Sequence, residues 1–352
     1  MHPTLVQICP PGTGGVRDYA DSLARSWTAR SIASHVIDGT REGLLPQLDA
    51  LLRAGANGAR LCVVLHYSGY GYAPRGLCGW LADDMARFKA AHGARVRLVV
   101  VFHELFATGE PVWRSAFWLT PWQLQAARRI AVLADSLWTN AEAHAVRLRQ
   151  IVGHGKPVHM RPVFSSVGEP ADPPAWSVRL PRAIVFGSTA TRARAFAALR
   201  AHAPALVRLG IEEIVEAGDG ASSSDPSLGV PLRRLGRLPA TELSTLLCTS
   251  RFALIDYPAH CLGKSSVFAG YAANGCAVID TSAPEGDFDG LREGVHYINP
   301  HAPFEADDAA LAQMASRLHR WYGGHSLALQ SRELLSAADT ARPAERALAA
   351  TP

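Results

Sequence analysis

Residues 251–280 read RFALIDYPAHCLGKSSVFAGYAANGCAVID. The pattern predicts a strand over Phe252–Asp256, a loop, a helix from about Lys264 to Ala273, a glycine turn and a second strand over Ala277–Asp280. Two short apolar runs separated by a helix of small residues are typical of one βαβ unit with parallel strands. This unit predicts an α/β fold built on parallel sheets.

The loop before the predicted helix carries polar residues suited to an anion. Ligands of open parallel sheets bind at the carboxyl ends of the strands, and a helix N-terminus offers free backbone N–H groups. Lys264, Ser265 and Ser266 lie there, so we predict an anion site; if the anion is a diphosphate, the chain binds nucleotides. The alternative is a lysine that extends over the surface and two serines that cap the helix.

Composition narrows the class of protein. The chain has 352 residues, 48% hydrophobic and 19% charged, as expected for two well-packed domains. A net charge of +4 without a dense Lys/Arg stripe suits small anions and argues against a nucleic-acid partner. Six cysteines without a C-x-x-C pair indicate free thiols in a reducing compartment. With no signal segment or membrane-spanning run, we expect a cytoplasmic protein, at most peripheral to the inner membrane.

Predicted strands and helices alternate through residue 152 and again from residue 183. Between these stretches, residues 162–181 contain five prolines, which is typical of a linker. The alternation predicts two Rossmann-like domains with parallel sheets that face each other across a cleft. The predicted boundaries are 1–164 for the first domain, 165–181 for the linker, 182–322 for the second domain and 323–352 for a last segment.

Two glycine-rich stretches are not P-loops. The pattern G-x-x-x-x-G-K-[ST] ending at Ser265 requires glycine where Pro258 stands, and the PPGTGG of residues 10–15 is followed by Val16 rather than lysine. No G-x-G-x-x-G follows a predicted strand, so an oxidoreductase with two nucleotide-binding folds ranks last among the alternatives.

The turn after the first predicted strand contains Gly14 and Gly15. Glycine there lets the backbone approach a ligand or simply makes a tight strand-to-helix turn. Asp18 follows inside the predicted helix, where a carboxylate stabilises the positive helix end or acts as a general base.

Two histidines end apolar strands at the predicted ligand edge. His103, followed by Glu104, ends a valine-rich strand, and His66 opens the segment HYSGYGY. A histidine at a strand end is usually a satisfied structural residue, whereas the carboxyl edge favours a functional one. We predict that His66 and the tyrosines after it form a mobile loop for a polar acceptor; the alternative is an aromatic loop over a domain edge. These tyrosines are Tyr67, Tyr70 and Tyr72.

Arginine and aromatic side chains mark two further positions. Arg192 and Arg194 follow a strand-to-helix turn, where the guanidinium fork suits phosphate; the alternative is a solvated helix face. Residues 112–122 contain an aromatic cluster that we expect to pack in the core or between domains, the alternative being an amphipathic patch that touches lipid. Its members are Trp113, Phe117, Trp118 and Trp122.

The chain resembles the GT-B glycosyltransferases, in particular the large family-4 type, over almost its whole length. The stretches that carry the resemblance are Gly14-Gly15-Val16, Val101-Phe102-His103-Glu104, Leu133-Ala134-Asp135, Phe186-Gly187 and Gly236-Arg237-Leu238-Pro239. The resemblance implies an acceptor-side N-terminal domain, a C-terminal domain that binds a nucleotide-sugar, and a last segment that crosses back to the first domain.

Two family motifs are altered in this chain. Where the family has Gly-Arg and then Lys, both touching diphosphate, this chain has Ser188 and Arg194 in the Arg and Lys positions. Where the family has two glutamates eight positions apart, this chain has Leu262 and Gly270. Donor recognition therefore differs, and we expect Lys264 and the serines after it to hold the diphosphate instead.

The resemblance implies a bacterial glycosyltransferase that moves a sugar from a nucleotide diphosphate donor to a hydroxyl. The acceptor would be a glycan, a lipid-linked molecule or a small molecule in polysaccharide, lipopolysaccharide or other glycan assembly, and neither metal nor another cofactor is expected. His103 would position the donor sugar, and Arg194 and Lys264 would stabilise the leaving diphosphate. If the reaction inverts the sugar, the candidate bases are Asp18, Glu104 and Glu110. The alternatives are a non-catalytic nucleotide-sugar-binding or scaffold protein and a nucleotide-sugar epimerase.

Overall fold

The computed structural model describes residues 3–55, 60–107, 112–220, 222, 228–301 and 307–339. The chain divides into two compact units, the first made of residues up to Arg161 and from Leu327, the second of Pro162–Ser326. Each unit is built on one six-stranded sheet whose strand pairs are all parallel. This confirms the α/β class and the two Rossmann-like domains.

The first unit alternates strands and helices along the chain. Its strands are β1 (Thr4–Cys9), β2 (Ser34–Asp38), β3 (Leu61–Tyr67), β4 (Val96–Phe102), β5 (Ser136–Thr139) and β6 (Val158–Met160). Its helices up to this point are α1 (Gly15–Thr28), α2 (Leu44–Ala54), α3 (Gly69–Tyr72), α4 (Gly79–His92), α5 (Ser115–Leu133) and α6 (Glu142–Val152). The strand order is β2-β1-β3-β4-β5-β6, and β3 is buried along its whole length, as expected of a central strand covered on both faces.

The second unit repeats this architecture. Its strands are β7 (Leu180–Phe186), β8 (Glu213–Ala217), β9 (Leu232–Arg234), β10 (Ser250–Ile255), β11 (Ala277–Asp280) and β12 (Tyr297–Ile298), in the order β12-β11-β10-β7-β8-β9. Its helices are α7 (Thr189–Arg208), α8 (Ala240–Cys248), α9 (Ser266–Ala273) and α10 (Asp308–Gly323). The chain then returns to the first unit through α11 (Leu327–Asp339).

Each sheet contains one point where the strand order reverses. In the first unit it lies between β1 and β3, and in the second between β7 and β10. Ligands of open parallel sheets bind outside the carboxyl ends of the strands at such a point. A ligand site is therefore expected at the loops after β1, β3, β7 and β10.

The unit predicted from residues 251–280 is confirmed. Strands β10 and β11 pair in parallel from Phe252 with Ala277 to Ile255 with Asp280. The helix begins at Ser266 rather than at Lys264, because a 3-10 helix (Ala259–Lys264) comes first.

The proline-rich segment belongs to the second unit. Its Val163 N–H donates to the Gly263 carbonyl across 2.8 Å, and the buried Arg179 guanidinium donates to the carbonyls of Asn274 (3.0 Å) and Gly275 (2.7 Å). Arg179 therefore fastens the end of the predicted linker 165–181 to the turn between α9 and β11, and the division of the chain falls after Arg161.

Within the described ranges, no helix combines the length and the apolar character needed to cross a bilayer.

Candidate functional site

A row of buried polar side chains crosses the carboxyl end of the first sheet. Gln7 lies on β1, His66 on β3, and His103 directly after β4. The register pairs Gln7 with Val64 and His66 with Val101. Because side chains alternate along a strand, the three polar residues share one face, each a step nearer the carboxyl edge.

Hydrogen bonds along this row assign the tautomer of each imidazole. Gln7 Nε2 donates to the Ala20 carbonyl (2.8 Å), so Gln7 Oε1 accepts from His66 Nε2 (2.9 Å). The remaining lone pair, on His66 Nδ1, then accepts from His103 Nε2 (3.1 Å). Since a neutral imidazole has one donor and one acceptor nitrogen, the Ala20 carbonyl fixes the proton position as far as His103.

Burial keeps the inner histidine neutral. Gln7 and His66 are fully buried, and His103 is 8% exposed. Burial, with a smaller contribution from His103, holds the pKa of His66 well below its usual 6.5. Tyr19 covers both imidazoles edge-on, with ring centroids 5.6 Å and 5.1 Å away, and donates its hydroxyl hydrogen to Gln330 Oε1 of α11 (2.7 Å).

The structure corrects the predicted acceptor loop. His66, Tyr67 and Tyr72 are buried, so these three do not form the predicted loop surface, and acceptor binding by this segment stays a prediction. The Tyr72 hydroxyl donates to the carbonyls of His66 (2.9 Å) and Ile8 (3.1 Å), and the Tyr67 hydroxyl lies 3.5 Å from the sulfur of Cys78. Tyr70 is exposed, and its hydroxyl accepts from Gln123 (3.0 Å).

Gln7 and Tyr19 were missed by the sequence analysis. A signal for Gln7 was present, because it is the one polar residue inside the apolar run LVQIC. A buried amide in such a run needs polar partners.

The other predicted groups of the first unit lie on its surface. Gly14 precedes α1 with φ of 148°, and an added Cβ at Gly14 or Gly15 would meet nothing within 4 Å. Asp18 is exposed in the first turn of α1, and the exposed Glu104 accepts from Ser68 Oγ (2.7 Å). Their roles as bases stay predictions, and Glu110 lies outside the described residues.

In the second unit, the loop after β7 meets the start of α9. A Cβ on Gly187 would lie 3.1 Å from Val267 Cγ2, in the first turn of α9. Ser188 caps α7 by accepting from the Thr191 N–H (3.2 Å), and Ser265 caps α9 by accepting from the Phe268 N–H (3.2 Å). The helices α7 and α9 therefore begin on either side of the switch point, and their N-termini are the positive ends of the helix dipoles.

Two cations lie near these helix ends. Lys264 is half-buried in the turn before α9, beside the half-buried Ser266, and Arg194 is exposed near the start of α7. Neither cation makes an ion pair with a described residue. The capping alternative is correct for Ser265, while phosphate binding by Lys264, Ser266 and Arg194 stays a prediction.

Arg192 has a structural role instead. Its side chain is fully buried, and it forms an ion pair with the buried Glu216. Its other donors reach backbone and hydroxyl oxygens around the loops after β7 and β8, so each of its five N–H groups has a protein acceptor and none is left for a phosphate. These acceptors, besides Glu216, are the carbonyls of Gly187, Asp219 and Gly220 and the hydroxyl of Thr189.

The positions of the two family glutamates are packed with apolar atoms. Leu262 is buried, and a Cβ on Gly270 would lie 2.9 Å from Val167 Cγ2 and 3.0 Å from Phe186 Cζ. A carboxylate at position 270 would therefore have to displace its neighbours.

A different carboxylate is buried at this edge. Asp280, at the end of β11, accepts from the backbone N–H groups of Tyr257 (3.2 Å) and Ser282 (3.1 Å) and from the Ser282 hydroxyl (3.0 Å). Burial raises the pKa of Asp280 to about 6. This carboxyl ties the loop after β10 to the loop after β11.

No protein-family model matches the sequence, and no curated protein matches it. Solved structures are similar to it in fold. An OtsA apo structure shares 12% identity with a TM-score of 0.59, covering 97% of this chain and 100% of its own. The chain has the GT-B fold.

Two further GT-B structures match over comparable lengths. An α,α-trehalose 6-phosphate synthase from Burkholderia multivorans is 11% identical with a TM-score of 0.56, covering 100% of this chain and 99% of its own. An α-glucosyltransferase in complex with UDP and a 13-mer DNA is 9% identical with a TM-score of 0.55, covering 97% of this chain and 100% of its own. At these identities the comparison establishes the fold.

Proposed function

We propose that this protein is a glycosyltransferase that moves a sugar from a nucleotide diphosphate donor to a hydroxyl acceptor. The observation that carries the proposal is the meeting of two helix N-termini, capped by Ser188 and Ser265, at the switch point between β7 and β10. Lys264 and Arg194 add positive charge there. A diphosphate is the leaving group that such an arrangement would stabilise.

The remaining roles follow from the residues already described. His103 would position the donor sugar with its imidazole held in one tautomer, and the positive groups would stabilise the diphosphate without a metal or another cofactor. The similar α-glucosyltransferase in complex with UDP supports a sugar nucleotide as the donor. Asp18 and Glu104 remain the candidate bases for an inverting reaction, and a glycan, a lipid-linked molecule or a small molecule the candidate acceptors.

Nucleotide binding is tested by thermal unfolding with UDP, GDP, ADP, CDP and dTDP. We expect at least one to raise the Tm by several degrees, since ligand at about 100 times its Kd adds about 2.7 kcal/mol of stability. Lys264→Ala and Arg194→Ala should shrink the rise, and Arg200→Ala, exposed farther along α7, should leave it unchanged. Indifference to every nucleotide would refute the proposal.

Sugar transfer is tested separately with radiolabelled sugar nucleotides and a panel of hydroxyl acceptors. His103→Ala should lose turnover while the nucleotide-induced rise in Tm persists. Normal turnover in this variant would remove His103 from the reaction.

One observation favours a second candidate, a GT-B protein that binds a sugar nucleotide without transferring the sugar. The positions of both family glutamates are apolar, and Gly270 has no space for a side chain. A Tm rise without turnover on any acceptor would support this candidate. Conversion of the donor alone into an isomeric sugar nucleotide would instead indicate an epimerase.

A further inference from the structure

The start of α5 carries a cluster of exposed apolar side chains. Its members, here called the aromatic patch, are Val112 (56% exposed), Trp113 (81%), Phe117 (40%), Trp118 (65%) and Trp122 (59%). The chain has eight tryptophans, and the three that are exposed all lie in this patch. These exposures contradict the predicted packing of the four aromatic residues in the core or between domains.

The patch is held on a helix that is itself firmly packed. Trp118 and Trp122 are one helical turn apart and share a face. Trp118 Nε1 donates to the Val112 carbonyl (2.8 Å), which ties the residues before α5 to its first turn. The buried residues of the helix begin at Gln123, one residue after the patch, and include Ala127 and Ile130 of the core. The tryptophans are thus presented to solvent by an ordered element.

The helix that carries the patch has basic and no acidic side chains. Arg114 precedes it, the exposed Arg128 lies in its second half, and its Arg129 is paired with Asp83 of α4. Arg128 makes no ion pair with a described residue. Gln123 of α5 also donates to the Arg75 carbonyl (2.8 Å). This hydrogen bond holds the helix against the segment that contains Leu77, another exposed apolar side chain.

We propose that the aromatic patch docks on the surface of an anionic lipid bilayer. Indole rings favour the boundary between headgroups and acyl chains, because one edge is polar and the body is apolar. Arginine beside them complements the negative phosphates of the headgroups. An apolar cluster flanked by basic residues on a surface helix lies in the plane of the membrane interface. This proposal is independent of the sugar chemistry proposed above.

The test is flotation of the full chain with vesicles of phosphatidylcholine alone and of phosphatidylcholine mixed with phosphatidylglycerol. We expect binding to the anionic vesicles, weaker binding to the neutral ones, and a blue shift of tryptophan emission on binding. The triple variant Trp113→Ala, Trp118→Ala, Trp122→Ala should lose affinity about tenfold or more. Arg128→Glu should weaken binding about fivefold.

The matched control is the double variant Val178→Ala, Val207→Ala, which removes exposed apolar side chains of the second unit and should float like the unaltered protein. Thermal unfolding checks that the triple variant is folded. The proposal is overturned if the unaltered protein does not float, or if the triple variant floats equally well. It is also overturned if the unaltered protein binds no vesicles and light scattering shows that it is a dimer while the triple variant is a monomer. A second copy of the chain would then cover the patch.

Discussion

His66 Nδ1 accepts a hydrogen bond from His103 Nε2 across 3.1 Å, so the tautomer of one imidazole sets that of the other. The series of hydrogen bonds continues from His66 to Gln7 and from Gln7 to the Ala20 carbonyl. A backbone carbonyl can only accept a hydrogen bond, so it fixes the direction of every hydrogen bond in the row. His103, at the outer end, is the residue that the family resemblance assigns to the donor sugar.

The first prediction concerns Gln7. Gln7→Leu keeps the approximate volume but leaves His66 Nε2–H and the Ala20 carbonyl without their partner. We expect a loss of about 1–3 kcal/mol in the free energy of unfolding, measured by urea denaturation. We also expect both histidines to change tautomer, observed by ¹⁵N NMR of the imidazole nitrogens.

The control for Gln7 is Gln47→Leu on the exposed face of α2. It should alter stability by less than about 0.5 kcal/mol and leave the imidazole spectra unchanged. If Gln7→Leu also leaves both tautomers unchanged, the hydrogen-bond assignment is wrong.

The second prediction is that replacing Arg192 lowers stability far more than replacing Arg194. Arg192→Ala leaves the buried Glu216 with Arg234, a partner 37% exposed and 3.1 Å away. Removing one partner of a buried ion pair costs about 3–5 kcal/mol, and because Arg234 remains we expect about 3 kcal/mol. Arg194→Ala, on the exposed side of the same helix, should stay within about 0.5 kcal/mol. Equal stability of the two variants in chemical denaturation would contradict the assignment of Arg192.

The third prediction is that restoring a family glutamate fails. Gly270→Glu forces a side chain into space already occupied by Val167 and Phe186. Overpacking of this kind costs about 1–3 kcal/mol, and the burial of a carboxylate adds to that loss. Thermal unfolding should show a lower Tm.

The control for Gly270 is Gly79→Glu at the first residue of α4, where an added Cβ meets nothing within 4 Å. It should be neutral or slightly stabilising, because a carboxylate suits a helix N-terminus. A Gly270→Glu protein as stable as this control would show that the site can expand.

The fourth prediction is a pH dependence from Asp280. Burial raises its pKa from 3.8 to about 6, so between these values the folded state binds the proton more tightly than the unfolded state. The free energy of unfolding should therefore fall as the pH rises from about 4 to about 6, and this contribution should be constant above that.

Asp280→Asn removes the charge while keeping an acceptor for the two backbone N–H groups. Relative to the unaltered protein, we expect a gain of up to about 3 kcal/mol at pH 7 and little gain at pH 4, from urea denaturation at a series of pH values. A difference between the Asp280 variant and the unaltered protein that is constant with pH would disprove the effect.

The local pattern of the sequence was sufficient to predict the architecture. Apolar runs of strand length alternate with helical segments, and residues 251–280 contain a complete βαβ unit, so the α/β class and the two sheets could be predicted. Helix α2 was missed although Leu44, Leu48 and Leu52, all buried, mark its inner face with a spacing of four residues. The predicted Lys264 start of α9 shifted by two residues, because Ser265 forms the cap and a 3-10 turn takes up the preceding residues.

The sequence by itself determined that parallel sheets would form, because strand and helix periodicity are properties of neighbouring residues. The tertiary structure alone decided which polar and aromatic side chains became buried. Gln7, His66 and His103 are far apart in the chain and meet through strand register, and Arg192 is neutralised by a glutamate 24 residues away. The aromatic residues at the start of α5 stay exposed because the helix meets the core only from Gln123 onward, and where it does so depends on what the rest of the chain packs against it.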